Sequence, residues 1–438
     1  MTTSIYYLLT VLTQPTEAGA VSIDTSKQPN EKRKKDSYMN IGLIGQEKSG
    51  KTTIFNALTG QQAEVSDYTA AKPEPNRAVV DVVDERIDTL TEHYRPKKTT
   101  YATINVTDFI GIGKGETTNS LFSGEGMNLI KTSHSLAVVL RNFSNPVIDD
   151  LYGEADPLTD LEAIMSELIL ADQIVIEQRL ERIAEDQRRG KKDRSHQQEE
   201  KILQRILSVF SGGSCGPLQD AELPKESWKS SQGSGEPRPE SEKTSQGSGE
   251  PPRGIGIRTM DLNPDEKKVI AGFQFLTAKP LFAILNSGEE NYGKNDRLLR
   301  RIGEVVPVIE FAGRLEAELM GLEEEEKAEF MADLEIIQSA RSRLTTFAYE
   351  MLGYISFFTV GEDEVRSWTI RRGETGIDAA GAIHSDLARG FIRAECFSYE
   401  DLIALGDEKE IKKKGRLRLE GKDYPIKDGD ILNIRFSV

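Results

Sequence analysis

One stretch of eight residues, Gly45-Gln46-Glu47-Lys48-Ser49-Gly50-Lys51-Thr52, constrains this chain more than any other. It fits the spacing GxxxxGK[ST]. It ends a short apolar run over residues 40–45 and opens a segment whose Phe55, Ala57 and Leu58 suit a helix. Glycines let successive backbone N–H groups curl around a phosphate, and a helix N-terminus adds its positive end. In such a loop Lys51 reaches the β- and γ-phosphates, and the Thr52 hydroxyl ligates Mg²⁺. The bare pattern has false positives. Its place between a strand and a helix is what argues for a phosphate loop, and with it for an α/β fold.

Residues 79–83, 101–107, 136–140 and 280–285 are further apolar or β-branched runs that read as strands. Helical stretches separate them, which predicts a parallel α/β sheet. The second of these runs leads into Asp108-Phe109-Ile110-Gly111, a DxxG. In this order after a phosphate loop, Asp108 is expected to hold the metal through water, and Gly111 to sense the terminal phosphate. The run at 280–285 leads into Asn286-Ser287-Gly288-Glu289, where a GTPase carries Asn-Lys-x-Asp. The guanine-reading aspartate of that motif accepts two hydrogen bonds, from N1–H and the exocyclic amine. Adenine offers an acceptor and a donor instead, so NxxE in this place weakens the case for GTP.

Other segments are organised differently. Leu161, Ile164, Leu168, Ala171 and Val175 recur at helical spacing, as do Ile202, Ile206 and Phe210, with a charged turn at residues 188–194 between them. This predicts a helical hairpin, a short antiparallel coiled coil, inserted into the sheet domain. Ser-Gln-Gly-Ser-Gly-Glu-Pro occurs at residues 231–237 and again at 245–251, which marks a flexible, low-complexity insertion. An acidic helix is expected over residues 315–340. Beyond it, short strands at 354–360, 366–370, 391–397 and 431–436, with turns at Gly373 and Asp428-Gly429, predict a small strand-rich domain. The expected division is therefore an N-terminal extension over 1–38, a P-loop domain over 39–150 and 257–340, a hairpin over 151–210, a flexible insertion over 211–256, and a C-terminal domain over 354–438.

A net charge of −16 argues against a generic polyanion binder, so any nucleic-acid contact must come from local basic patches. Cys215 and Cys396 form no CxxC or zinc pattern, which fits a reducing cytosol without disulfides. Residues 5–12 are too short to span a bilayer and lack a basic region ahead of them. Residues 14–37 have a disordered composition, and the first strand follows Met39 directly, so Met39 is expected to open the functional protein.

The phosphate loop, Asp108–Gly111 and Asn286–Glu289 together resemble the YchF/Obg-like ATPases, translation-factor-class P-loop proteins that prefer ATP. The C-terminal stretch carries the resemblance furthest, with Phe357-Phe358-Thr359-Val360-Gly361, Val365-Arg366-Ser367-Trp368-Thr369-Ile370, residues 379–386, Gly390-Phe391-Ile392-Arg393-Ala394-Glu395 and Leu419-Glu420-Gly421-Lys422-Asp423-Tyr424. These look like the family's TGS-type domain, which has a β-grasp-like fold. The likeness covers nearly everything from Met39 to Val438 except the repeat-bearing insertion. It implies an ATP-binding, weakly hydrolysing cytoplasmic protein that associates with the ribosome, the large subunit or its RNA, through the TGS domain and the hairpin. No membrane or DNA partner is expected. It also implies that Thr53, Ser287, Ala312 and Gly313 join the loop residues, Gly111, Asn286 and Glu289 around the nucleotide.

Several positions depart from the family pattern. Lys72 stands at a switch threonine, with Thr69 nearby as a substitute only if the loop shifts. Thr117 stands where the family has a histidine thought to help hydrolysis. The glycine-rich stretch after it survives only as residues 123–128, and Ile112 keeps the family's apolar side chain in place of a water-orienting glutamine. The catalytic group is therefore unassigned. Losing one positioning group costs about 10²–10⁴ in rate, so binding is expected to be intact and hydrolysis slow or partner-dependent. A non-hydrolysing scaffold and a GTPase remain as alternatives. His134 could approach the phosphates from the switch side, His384 is expected to be structural or partner-facing, and residues 412–418 are either a solvated turn or an RNA-contacting patch.

Overall fold

The computed structural model describes residues 39–60, 75–109, 124–190, 194–212, 256–322, 324–333 and 338–437. In chain order the first part comprises β1 (Met39–Ile44), α1 (Lys51–Thr59), β2 (Asn76–Asp81), α2 (Glu85–Tyr94), β3 (Lys98–Thr100), β4 (Thr103–Asp108), α3 (Gly124–Thr132) and β5 (Ser135–Asn142). Then come α4 (Pro146–Tyr152), α5 (Pro157–Arg188), α6 (Arg194–Gly212), α7 (Pro264–Ala271), β6 (Leu281–Ser287), α8 (Asp296–Gly303), β7 (Val308–Phe311), α9 (Gly313–Leu319), α10 (Glu324–Asp333) and α11 (Ala340–Leu352).

Six of these strands form a sheet in the order β2–β4–β1–β5–β6–β7. The central strands are buried on both faces, which is why β1, β5 and β6 read as unbroken apolar runs. On one face Ile54, Phe55 and Leu58 of α1 and Leu344 and Ala348 of α11 pack on Ile41, Leu43, Val106 and Phe282. On the other, Ile130, Leu161, Ile164, Leu168 and Ile302 cover Ile44, Val138, Leu140 and Leu285. All neighbours are parallel except the edge strand β2, which runs antiparallel to β4. The expected parallel α/β sheet thus carries one antiparallel edge strand, a common form of open α/β sheet.

The hairpin is present and has its own core. Asp156 caps α5 by accepting from the Thr159 amide at 3.2 Å, with Pro157 at the first helical position. At 32 residues and 1.5 Å per residue, α5 is about 48 Å long. It outruns the sheet, and α6 returns along it. Ile176, Ile183, Ile202, Ile206 and Phe210 pack together with Ile270 and Phe275. Arg179 Nε and Nη2 tie the two helices by donating to both Glu199 oxygens, at 2.6 and 2.8 Å. Among the described residues no helix is long and apolar enough to cross a membrane.

The C-terminal part comprises β8 (Tyr354–Thr359), β9 (Glu364–Arg371), α12 (Gly376–Ile383), α13 (Ser385–Arg389), β10 (Phe391–Ser398), α14 (Tyr399–Leu405), α15 (Glu408–Lys413), β11 (Arg418–Glu420) and β12 (Asp430–Phe436). Its sheet order is β11–β10–β12–β8–β9, with β12 parallel to β8 and the other pairs antiparallel. Ala379 and Ala380 of α12 pack on Phe357, Phe391 and Ile434. This is the topology of a β-grasp.

Two features were not foreseen. The acidic helix expected over 315–340 is broken into α9 and α10, and α11 starts afresh at Ala340, capped by Ser339, which accepts from the Ser342 amide. Residues 85–100, counted above within the P-loop domain, leave it instead. β3 adds to the far edge of the β-grasp sheet, parallel to β9, while Ile87 and Leu90 of α2 pack on Phe358, Val365 and Ile431. Arg86 lies over the Phe358 ring and donates to both Asp84 and Asp428. Lys97 pairs with Asp363, and Tyr94 donates to Glu408. A detour between β2 and β4 thus clamps the two sheets together. Removing the clamp's half-buried cation, Arg86→Ala, should cost about 1–2 kcal/mol, the usual worth of charge-assisted hydrogen bonds discounted for exposure. The urea midpoint should fall accordingly, and an unchanged midpoint would show that the clamp is ornamental.

Candidate functional site

Residues 45–50 connect the C-terminal end of β1 to the start of α1, so the loop sits where parallel strands end and a helix dipole begins. Gly50 has φ 89°, in the left-handed region, and a Cβ there would lie 2.1 Å from Asn286 Nδ2. No other residue type fits. Lys51 turns back into the loop and donates to Gln46 O at 2.7 Å and Gly45 O at 3.3 Å. Burial pushes its pKa down to about 8, against the pull of Asp108 and Glu47. Tyr152 donates to Glu47 at 3.1 Å, holding the outer side of the loop.

Asn286, at the end of β6, is the staple of the site. Its Nδ2 donates to Ser49 O at 3.0 Å, and its Oδ1 accepts from the Gly313 amide at 3.1 Å. One amide hydrogen and one carbonyl lone pair remain for a base. A Cβ on Gly313 would lie 2.6 Å from Asn286 Oδ1. Gly313 opens α9 against Asn286, and Ala312 precedes it.

Thr52 Oγ1 donates to Asp108 Oδ2 at 2.8 Å. Asn76 Nδ2 donates to the same oxygen at 3.2 Å. Asp108 Oδ1 is buried with no hydrogen-bond partner among the described residues. Burial raises the Asp108 pKa, opposed by the Thr52 hydrogen bond, the Lys51 charge and Asn76. A hydroxyl beside a carboxylate with one unpaired oxygen is a hard-oxygen donor set suited to Mg²⁺. The orphaned Oδ1 fits a metal or its water, so the residues present fit the ion.

Not every predicted residue points to the ligand. Ser287 is 4% exposed, and its hydroxyl is fully used. It donates to Glu310 at 2.5 Å and accepts from Asn142 at 2.9 Å and Asn295 at 3.3 Å. Its backbone stays at the site, but its side chain braces the loop after β6. Glu289 is exposed. Thr53, in the first turn of α1, is half-buried. His134 does not take up the approach to the phosphates: its Nδ1 accepts from the Asn40 amide at 3.0 Å, at the start of β1, the end opposite the phosphate loop. His384 caps α13 by accepting from the Asp386 amide. Gly111, Ile112, Thr117, Thr69 and Lys72 lie outside the described residues, as do residues 1–38, the repeats and Cys215. Asn76, which follows Pro75 in the Pro-Asn pair of the family pattern but was given no role, and Glu310, which also accepts from Asn295 at 2.6 Å and from the Gly293 amide at 3.3 Å, are residues that sequence reasoning did not assign. Both act across strand pairs, which no linear motif records.

Comparison with known proteins agrees with this geometry. Residues 40–176 match a family model described as a 50S ribosome-binding GTPase, and residues 354–437 match YchF-GTPase_C, described as a protein of unknown function. The chain is 33% identical over 409 residues to the ribosome-binding ATPase YchF of Bacillus subtilis, covering 91% of this chain and 100% of the relative. It is 31% identical over 402 residues to the protein of that name from Escherichia coli O157:H7, covering 91% and 99%. A solved structure described as the Schizosaccharomyces pombe YchF GTPase superposes with a TM-score of 0.70 at 26% identity, covering 91% of this chain and 98% of that one.

Two outcomes follow from the site. Asn286→Ala leaves the buried Ser49 carbonyl and Gly313 amide unpaired and should destabilise the fold by about 2–4 kcal/mol, read by denaturant unfolding. Lys51 must carry its proton against phosphates. Its free-state pKa near 8 therefore leaves affinity intact below pH 8 and lowers it as pH rises above 8, with proton uptake on binding. Calorimetry at pH 9 in buffers of different ionisation enthalpy should show that uptake, and its absence would contradict a buried lysine at the phosphates.

Proposed function

The chain belongs to the YchF family of P-loop NTPases, and from that premise we propose that it is an ATP-binding, slowly hydrolysing nucleotide switch that works on the ribosome. The observation that carries this reading is the convergence of Lys51, Thr52, Asp108 and Asn286 on one loop. Backbone amides of residues 45–51 take the phosphates, and Lys51 leaves its loop carbonyls to meet their charge. Thr52 and Asp108 would hold Mg²⁺. A bound Mg²⁺ neutralises charge that develops on the phosphates. Asn286 keeps the base end of the pocket aligned with the phosphate end, and its spare donor and acceptor suit the adenine edge.

Slow turnover is part of the proposal, because Thr117 stands where the family resemblance places a histidine. A ribosomal contact that supplies or orders a water-positioning group would then raise the rate.

Relatives that bind ribosomes, and the 50S ribosome-binding family match over residues 40–176, support a large-subunit partner and a cytoplasmic place of action. The basic run at 412–418 is a poor RNA patch. Lys413 pairs with Glu410, and Arg418 turns inward to Asp430, Tyr424 and Cys396. A better surface is the groove of about 1700 Å³ between the sheet, the hairpin base and β8. Arg77, Lys131, Lys267 and Arg371 line it, with no carboxylate among the described lining residues, while Arg258 and Lys279 at its wall donate to the carbonyls of Thr277, Lys131 and Ser133. On a chain of net charge −16, such segregation favours a polyanion such as ribosomal RNA.

The test of base identity is competition for a labelled ATP analogue. ATP should displace it at least tenfold more effectively than GTP, and the reverse order would overturn the adenine assignment. Lys267→Glu with Arg371→Glu should weaken ribosome co-sedimentation and flatten its salt dependence, each lost phosphate contact removing about one unit from the log–log slope. Unaltered sedimentation would remove the groove from the interface.

A further inference from the structure

The metal-side carboxylate has a neighbour on the facing strand. In the register of β2 against β4, Asn76 stands directly opposite Asp108. Side chains so paired across an antiparallel ladder are about 5 Å apart at Cβ. The contact is realised, with Asn76 Nδ2 donating to Asp108 Oδ2 at 3.2 Å, on the oxygen that Thr52 Oγ1 also meets at 2.8 Å. Two donors on Oδ2 fix the plane of the carboxylate. They leave Oδ1, buried and unpartnered, as the oxygen free to act.

Without Asn76, a single hydroxyl would hold Oδ2, and that hydroxyl is itself the expected metal ligand. Asp108 could then rotate to share either oxygen with Thr52 or to approach Lys51, whose charge already acts on it. Asn76 is also the first residue of β2, the strand that runs on to Asp84 and Arg86 and so to the clamp on the β-grasp sheet. The residue that steadies the carboxylate is therefore the point where the clamping detour enters the site.

We propose that Asn76 is a positioning residue for metal binding, which presents Asp108 Oδ1 to the Mg²⁺ site by holding Oδ2. The inference rests on the reading of Thr52 and Asp108 as the metal's holders. Groups that orient a ligand from behind typically change metal affinity by about 10–100-fold when removed.

The test uses the full chain and a fluorescent ATP analogue titrated with Mg²⁺. Asn76→Ala and the shape-preserving Asn76→Leu should raise the half-saturating Mg²⁺ concentration about tenfold or more, with analogue affinity in EDTA unchanged. Their unfolding midpoints without ligand should stay near wild type, because Asn76 is half-buried on an edge strand. A wild-type Mg²⁺ midpoint in both variants would overturn the inference, as would an equal loss of affinity with and without Mg²⁺, which marks a merely structural role. Thr52→Ala separates the two levels. If wild-type binding is indifferent to both EDTA and Thr52→Ala, the metal reading itself falls and the inference with it. If Thr52→Ala shifts the midpoint and the Asn76 variants do not, only the inference falls.

Discussion

A single buried amide, Asn286, joins three elements that the chain delivers from far apart. Its two hydrogen bonds run to the carbonyl of Ser49 in the phosphate loop and to the Gly313 amide at the start of α9. Gly50 and Gly313 are glycines because a Cβ on either would collide with that amide. Both hydrogen bonds lie out of water, where leaving one group unpaired costs about 1–3 kcal/mol. The loop conformation, the aim of Lys51 and the position of α1 all depend on this tie.

The second dependence is mechanical. The chain leaves the nucleotide sheet after β2, adds α2 and β3 to the β-grasp sheet, and returns as β4, the strand that ends in Asp108. Both ends of the detour are anchored within one strand of the metal-side carboxylate. The Arg86 clamp to Asp84 and Asp428 fixes its far side. A body that presses on the β-grasp sheet thus has a short covalent route to Asn76 and Asp108. A rigid detour of this kind suits a switch whose two sheets must respond together, whereas a flexible tether would separate them.

Much of this was legible in the sequence where the signal is local. The loop at 45–52, Asp108 and Asn286 were legible because each lies within a few consecutive residues at a strand end. The apolar runs of β1, β5 and β6 follow from burial on both faces, and the hairpin from its helical periodicity. The failures share one cause. β3 is three residues long and carries no period, so nothing showed that it pairs with β9, far along the chain. Asn76 and Glu310 matter only through strand register. His134 follows the switch region in sequence, yet strand direction puts it at the opposite end of β1. Arg418 belongs to a basic run by sequence and to an internal cluster with Asp430 and Tyr424 by folding. Position along the chain reported composition faithfully and spatial partnership poorly.

What distinguishes a switch from a nucleotide-bound scaffold is whether the γ-phosphate ever leaves. Single-turnover release of labelled phosphate from ATP, with enzyme in excess and with or without ribosomes, measures that directly. Slow release by the chain alone, accelerated when ribosomes are added, is the predicted result. Tight ATP binding with no phosphate released in either condition would contradict it, and would leave docking as the protein's business.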